Sequence, residues 1–156
     1  MHRQALYWIV TLLNTRGIPF QICGGLAARG YGASRALNDI DLFVPGEHFQ
    51  TVVADGDAHI SKPAGHYCEE GWDLTYVQFV HSGVKIEVGS TDQPRIFDAR
   101  RQRWIPLSID LSRSVAVTLL GLELPLMMKE DLVSYKSALS RPVDLEDLRA
   151  MQGQAG

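Results

Sequence analysis

The chain reads as an α/β protein in the α+β sense, with a small mixed β-sheet and helices packed mainly on one face. Three stretches predict this. The segment from Gln21 to Val44, QICGGLAARGYGASRALNDIDLFV, passes from an apolar run through a glycine pair and an alanine-rich stretch into a second apolar run holding two aspartates. Further on, Trp72 to Val80 and Val84 to Val88 are strand-like runs on either side of His81-Ser82-Gly83, a hairpin signal. At the N-terminus Leu6, Ile9, Val10 and Leu13 recur at helical spacing.

Taken in order, residues 2 to 16 form an amphipathic helix stopped by Gly17 and Pro19. Phe20 to Cys23 is a short strand ending at Gly24-Gly25, and Leu26 to Arg29 starts a helix whose free N–H groups would face a phosphate. In the next strand Ile40, Leu42 and Val44 alternate with Asp39, Asp41 and Phe43. The two carboxylates therefore share a face, roughly 7 Å apart along the chain. Like charges on one face repel unless a cation lies between them, and two aspartates suit a hard ion such as Mg²⁺. Pro45-Gly46 ends that strand, and Phe49, Val52 and Val53 mark another short helix.

Residues 55 to 66, broken by Gly56, Pro63 and Gly65, read as a loop or short edge strand. On the second hairpin strand Lys85 and Glu87 share a face, so Glu87 can complete a three-carboxylate cage if this strand lies beside Asp39 and Asp41. A surface glutamate paired with a lysine is the alternative. Arg95, Arg100, Arg101, Arg103 and Trp104 form the one dense basic cluster, either a solvated face around a tryptophan anchor or a contact for a polyanionic acceptor such as tRNA. Ser114 to Leu124 reads as strand and turn, with Pro125 leading into two final helices. Leu132, Lys136 and Leu139 share a stripe of the first, and Leu145, Leu148 and Met151 face the core from the second, which starts at Pro142. Lys136 either reaches the aspartates or snorkels, with Asp144 as a structural partner.

With 156 residues and 46% hydrophobic content, one domain over residues 1–151 with a frayed tail at 152–156 is expected. A net charge of −3 argues against a general nucleic-acid binder. Cys23, inside an apolar run, reads as a buried free thiol of a reducing compartment, and the apolar stretch from Ala5 to Leu13 is too short to cross a bilayer. A cytoplasmic location with no membrane partner follows. His66 and Cys68 lack two further ligands at zinc spacing.

Gly24-Gly25, Arg35 and Asp39-Ile40-Asp41-Leu42 resemble the signature of the nucleotidyltransferase superfamily of the DNA polymerase β type. The double-glycine form is that of aminoglycoside and lincosamide nucleotidyltransferases and of AbiEii-type toxins, hence of antibiotic-resistance and toxin–antitoxin proteins. Glu87 matches the family's third carboxylate, and Lys136, Arg141 and Asp144 resemble a C-terminal motif of the toxins. Leu37, where Thr or Ser is usual, and Val143, where lysine is preferred, depart from the pattern. The resemblance implies transfer of a nucleoside monophosphate from an NTP such as ATP to a hydroxyl, with release of pyrophosphate. The acceptor, a small molecule, a tRNA end or a protein, stays open. Asp39 and Asp41 would hold two Mg²⁺ ions, and Glu87 would bind the second ion or accept the hydroxyl proton. Gly24, Gly25 and Arg35 would hold the β and γ phosphates, and Lys136 would serve the triphosphate. A catalytically silent relative, antitoxin or regulatory, is the alternative. A dinucleotide-binding module fits less well, because no G-x-G-x-x-G can be read and the acids lie inside the second strand.

Overall fold

The computed structural model describes residues 1–153. The chain runs α1 (His2–Thr15), β1 (Gln21–Cys23), α2 (Gly24–Gly30), β2 (Asp39–Val44), α3 (Phe49–Asp55), β3 (Ile60–Glu69), β4 (Trp72–His81) and β5 (Val84–Ser90). After these come β6 (Arg95–Asp98), β7 (Arg103–Pro106), β8 (Ser114–Leu119), β9 (Leu122–Met127), α4 (Lys129–Leu139) and α5 (Pro142–Gln152). The strands form one mixed nine-stranded sheet in the order β7-β6-β4-β5-β2-β1-β9-β8, with β3 on the other edge of β4. β1 with β9 and β2 with β5 are the parallel pairs. This is the expected α/β class with a mixed sheet, built from more strands than the sequence showed.

Alternation sorts the two faces. Ile40, Leu42, Ile86 and Val88 are buried on the face that α1 covers, where Trp8 meets Phe79 edge-on at 5.5 Å. Asp39, Asp41 and Phe43 take the opposite face, as does Glu87, which lies in register with Asp41. Tyr135 of α4 reaches Trp72 at 5.5 Å, so α4 and α5 close one end of the carboxylate face. Fully apolar burial of α1 residues Ala5, Leu6, Ile9 and Leu13 explains the N-terminal periodicity.

Several expectations need correction. Of the two readings for residues 55–66, loop or short edge strand, the structure has the edge strand, and it is longer, ten residues over 60–69; Pro63 and Gly65 are absorbed by register shifts either side of Lys62, where a missing N–H breaks no ladder. Pro125 lies within β9, and the helix begins at Lys129. Residues 91–106 contain a hairpin, β6–β7. On α5, Leu145 points outward at 41% exposure while Asp144 and Asp147 are fully buried with Met151. The apolar pattern failed there because the buried acids are neutralised by Arg35 and Lys136 from two other segments and by the helix's own N-cap residue Arg141. Of the expected tail at 152–156, Gln152 is the last residue of α5, and residues 154–156 lie outside the described residues.

Candidate active site

β2 and β5 run parallel with Asp39 opposite Lys85 and Asp41 opposite Glu87. One carboxylate oxygen from each of Asp39, Asp41 and Glu87 lies within 4.8 Å of the others. Burial, then repulsion from Glu87 and Asp39, pushes the Asp41 carboxyl well above the usual carboxylate range. Burial also raises Glu87 and Asp39; Lys85 partly offsets the latter. Three acids, each raised above its ordinary value first by burial, form a site short of positive charge. Oxygen donors alone, on rigid strands, suit a hard divalent cation such as Mg²⁺.

The glycine pair sits against these acids. β1 ends at Cys23, and α2 starts at once with Gly24 at φ +61°, a left-handed conformation that favours glycine. A Cβ there would overlap Asp41 Oδ2, and one on Gly25 would come to 2.6 Å from Arg35 Nη2. Both glycines are therefore close-approach positions. The expected open N–H row is modified: the Gly24 N–H donates to the Tyr135 hydroxyl at 2.8 Å. Burial and the nearby Asp41 keep the Cys23 thiol neutral.

Arg35 and Lys136 meet at a residue the sequence reading passed over. Asp147, wholly buried, accepts from Arg35 Nε on Oδ1 at 2.7 Å and from Arg35 Nη2 on Oδ2 at 3.0 Å, and Lys136 Nζ lies 2.9 Å from the same Oδ2. Although burial pushes Asp147 upward, the hydrogen bonds from Arg35 and Lys136 hold it below the usual carboxylate range. Asp144 takes Lys136 at 3.4 Å and Arg141 Nε at 2.7 Å, and its Oδ2 also caps α5 by accepting from the Arg141 N–H. Three cations and two carboxylates thus form one buried network. The spacing of Asp144 and Asp147, three apart on a helix, was the available signal, but it reads as an ordinary polar face.

A cavity of about 280 Å³ joins the parts, lined by Gly24, Gly25, Arg35, Asp39, Asp41, Glu87, Lys136 and Arg141. Its lining also includes, not anticipated, Phe43, Trp72, Leu74 and Tyr76, with Glu69 at the end of β3 and Glu70 in the β3–β4 turn. Glu69 Oε1 is held by Lys62 Nζ at 2.5 Å and the Tyr76 hydroxyl at 2.7 Å; burial raises Tyr76 to about 12. The basic cluster lies elsewhere. Arg95 pairs with Asp73 and covers the Trp104 ring at 5.7 Å, Arg101 lies 3.8 Å from Asp98, and none of the four arginines is among the cavity's lining residues.

Solved structures share this arrangement of chain. A candidate nucleotidyltransferase from Thermotoga maritima superposes with a TM-score of 0.71 over 97% of this chain and 92% of its own, at 19% identity. The chain has the nucleotidyltransferase fold. The aminoglycoside nucleotidyltransferase ANT(2″)-Ia, solved with adenylyl-2″-tobramycin, gives 0.67 over 99% and 90% at 16% identity. The lincosamide adenylyltransferase LnuA, solved with lincomycin, gives 0.63 over 94% of each chain at 14% identity. No family model and no curated protein matches the chain in sequence. Among the described residues of this nucleotidyltransferase fold no helix is long and apolar enough to cross a membrane.

Proposed function

We propose that the protein is a Mg²⁺-dependent nucleotidyltransferase that moves a nucleoside monophosphate from an NTP to a hydroxyl of a small-molecule acceptor. The observation that carries this is the convergence of the Asp39, Asp41 and Glu87 oxygens within 4.8 Å beside the Gly24 turn. Asp39 and Asp41 would hold two Mg²⁺ ions, and Glu87 would share in holding them. Bound Mg²⁺ supplies charge neutralisation on the triphosphate and lowers the cost of charge on the attacking and leaving oxygens. Gly24 and Gly25 let the phosphates approach the backbone without a side chain between. The Glu87 carboxylate, raised by burial, is suited to take the proton of the incoming hydroxyl, whose oxygen then bonds to the α phosphorus as pyrophosphate leaves. Arg141, partly exposed at the cavity wall, is the cation best placed to meet the leaving phosphates.

The acceptor side is the wall of Phe43, Trp72, Leu74 and Tyr76 with Glu69 and Glu70. Apolar faces next to carboxylates suit a compact acceptor with a positive group better than a polyanion. Antibiotics are bound by two of the similarly folded proteins, and they are the first acceptors to test. A catalytically silent, regulatory reading keeps one observation in its favour: Arg35 and Lys136, the cations expected to hold the triphosphate, are both engaged by Asp147.

The test is pyrophosphate release from each of four NTPs with Mg²⁺, against a panel of aminoglycosides, lincosamides and other hydroxylated amines, with calorimetric NTP titration alongside. Turnover that needs Mg²⁺ and is lost in Asp41→Asn supports the transferase. NTP binding without turnover on any acceptor supports the silent reading. Absence of metal-dependent NTP binding would overturn both.

A further inference from the structure

The sheet ends in open edges at β3, β7 and β8. A strand edge presents unpaired N–H and C=O groups and recruits other chains unless proline, charge or a bulge blunts it. Two edges are blunted. β3 carries Lys62, Pro63 and two register shifts, and β7 carries Arg103 and Pro106. β8 is different: Ser114-Val115-Ala116-Val117-Thr118-Leu119 has no charge and no proline, and it pairs with β9 without a register break. Val115 is 39% exposed, and Ala116 and Thr118 are exposed as well.

The sequence of this edge is complementary to itself. Two antiparallel strands related by a two-fold axis normal to the sheet keep their faces, so residues of the same parity meet. An axis through Ala116 sets Val115 against Val117 of the copy and Ser114 against Thr118 of the copy, with the small Ala116 meeting itself. Those are apolar β-branched and hydroxyl pairs, which stabilise antiparallel sheets, and no like charges face each other. Val115 and Val117 share the face of Leu126 and Leu124, and Val115 borders a groove formed with Tyr31, Met128 and Val133. The second Val117 would lie beside that groove and reduce its exposure. Arg113, the charge nearest this edge, is tied down by Asp131 at 3.1 Å and Glu130 at 3.3 Å on α4.

We propose that β8 is a homodimer interface, through which two copies pair edge to edge and antiparallel about Ala116 to make one continuous sheet. Nothing in this depends on nucleotide chemistry. Sedimentation of the full chain across the micromolar range should show a monomer–dimer equilibrium. Ala116→Lys places two ammonium groups at the axis and should leave only monomer, with the far-UV circular dichroism of the folded chain unchanged because the site is exposed. For a test that does not rely on that variant folding, Ala116→Cys in a Cys68→Ser background should form a disulfide-linked dimer on mild oxidation. Thr118→Cys in the same background, facing Ser114 of the copy, should cross-link far less. A monomer at every concentration, a dimer that Ala116→Lys leaves intact, or equal cross-linking at positions 116 and 118 would overturn the proposal.

Discussion

Replacing Asp41 by Asn should make the metal-free protein more stable and the metal-loaded protein no better than before. Two unit charges 4.8 Å apart, the outer limit of the carboxylate cluster, repel by about 3.5 kcal/mol at an effective dielectric of about 20. Part of that is already relieved: Asp41 shares a hydrogen bond with Glu87, and Lys136 attracts it from α4. Roughly half, about 1.5 kcal/mol, is left for the isosteric amide to recover, equivalent to about 5 °C in a chain of this size. Mg²⁺ at ten times its dissociation constant stabilises the wild type by about 1.4 kcal/mol through mass action, and this gain should vanish in the variant because an amide oxygen is a weak ligand for a hard dication. Thermal melts at pH 8 of wild type, Asp39→Asn and Asp41→Asn, in EDTA and in Mg²⁺ with NTP, read both effects. If Asp41→Asn melts below wild type in EDTA, or if the Mg²⁺ shift persists in both variants, the three acids are a structural cluster and the reasoning fails.

The same acids set a pH dependence. Asp41, Glu87 and Asp39 keep protons in the folded state that the unfolded chain has released, so metal-free stability should fall as pH rises from about 4 through their raised values. Mg²⁺ should flatten that fall, as melting curves from pH 4 to 9 would show. Asp147→Ala should cost about 3 kcal/mol in urea unfolding, because it strands Arg35 and Lys136 without their shared carboxylate; a loss below about 1 kcal/mol would show that the network is not stabilising. Gly24→Ala should abolish the Mg²⁺-induced thermal shift, since its Cβ overlaps Asp41, whereas Gly17→Ala, also at positive φ but with open space around it, should lose a little stability and keep the shift.

Where pattern is local, the sequence alone was enough. Period-3.6 burial gives α1, and period-2 alternation gives β2 and β5 with the facing of Asp39, Asp41 and Glu87 on their strands. Ser82-Gly83 is a hairpin signal that lies in one window of sequence, and both residues adopt positive φ between β4 and β5. Glu70-Gly71 and Leu120-Gly121 are turns of the same kind, joining β3 to β4 and β8 to β9. The buried network could not be read this way. Arg35 meets Asp147 across 112 positions of sequence and Gly24 meets Tyr135 across 111, so no window of residues contains both partners. Asp147 gives no signal in its own window because periodicity weighs each residue by its own polarity, while burial of a charge is decided by the opposite charges that other elements bring to it. The apolar wall of the cavity follows the same logic: Phe43, Trp72 and Tyr76 each read as strand residues, and only the pairing of β2, β5 and β4 sets them on the face of the carboxylates.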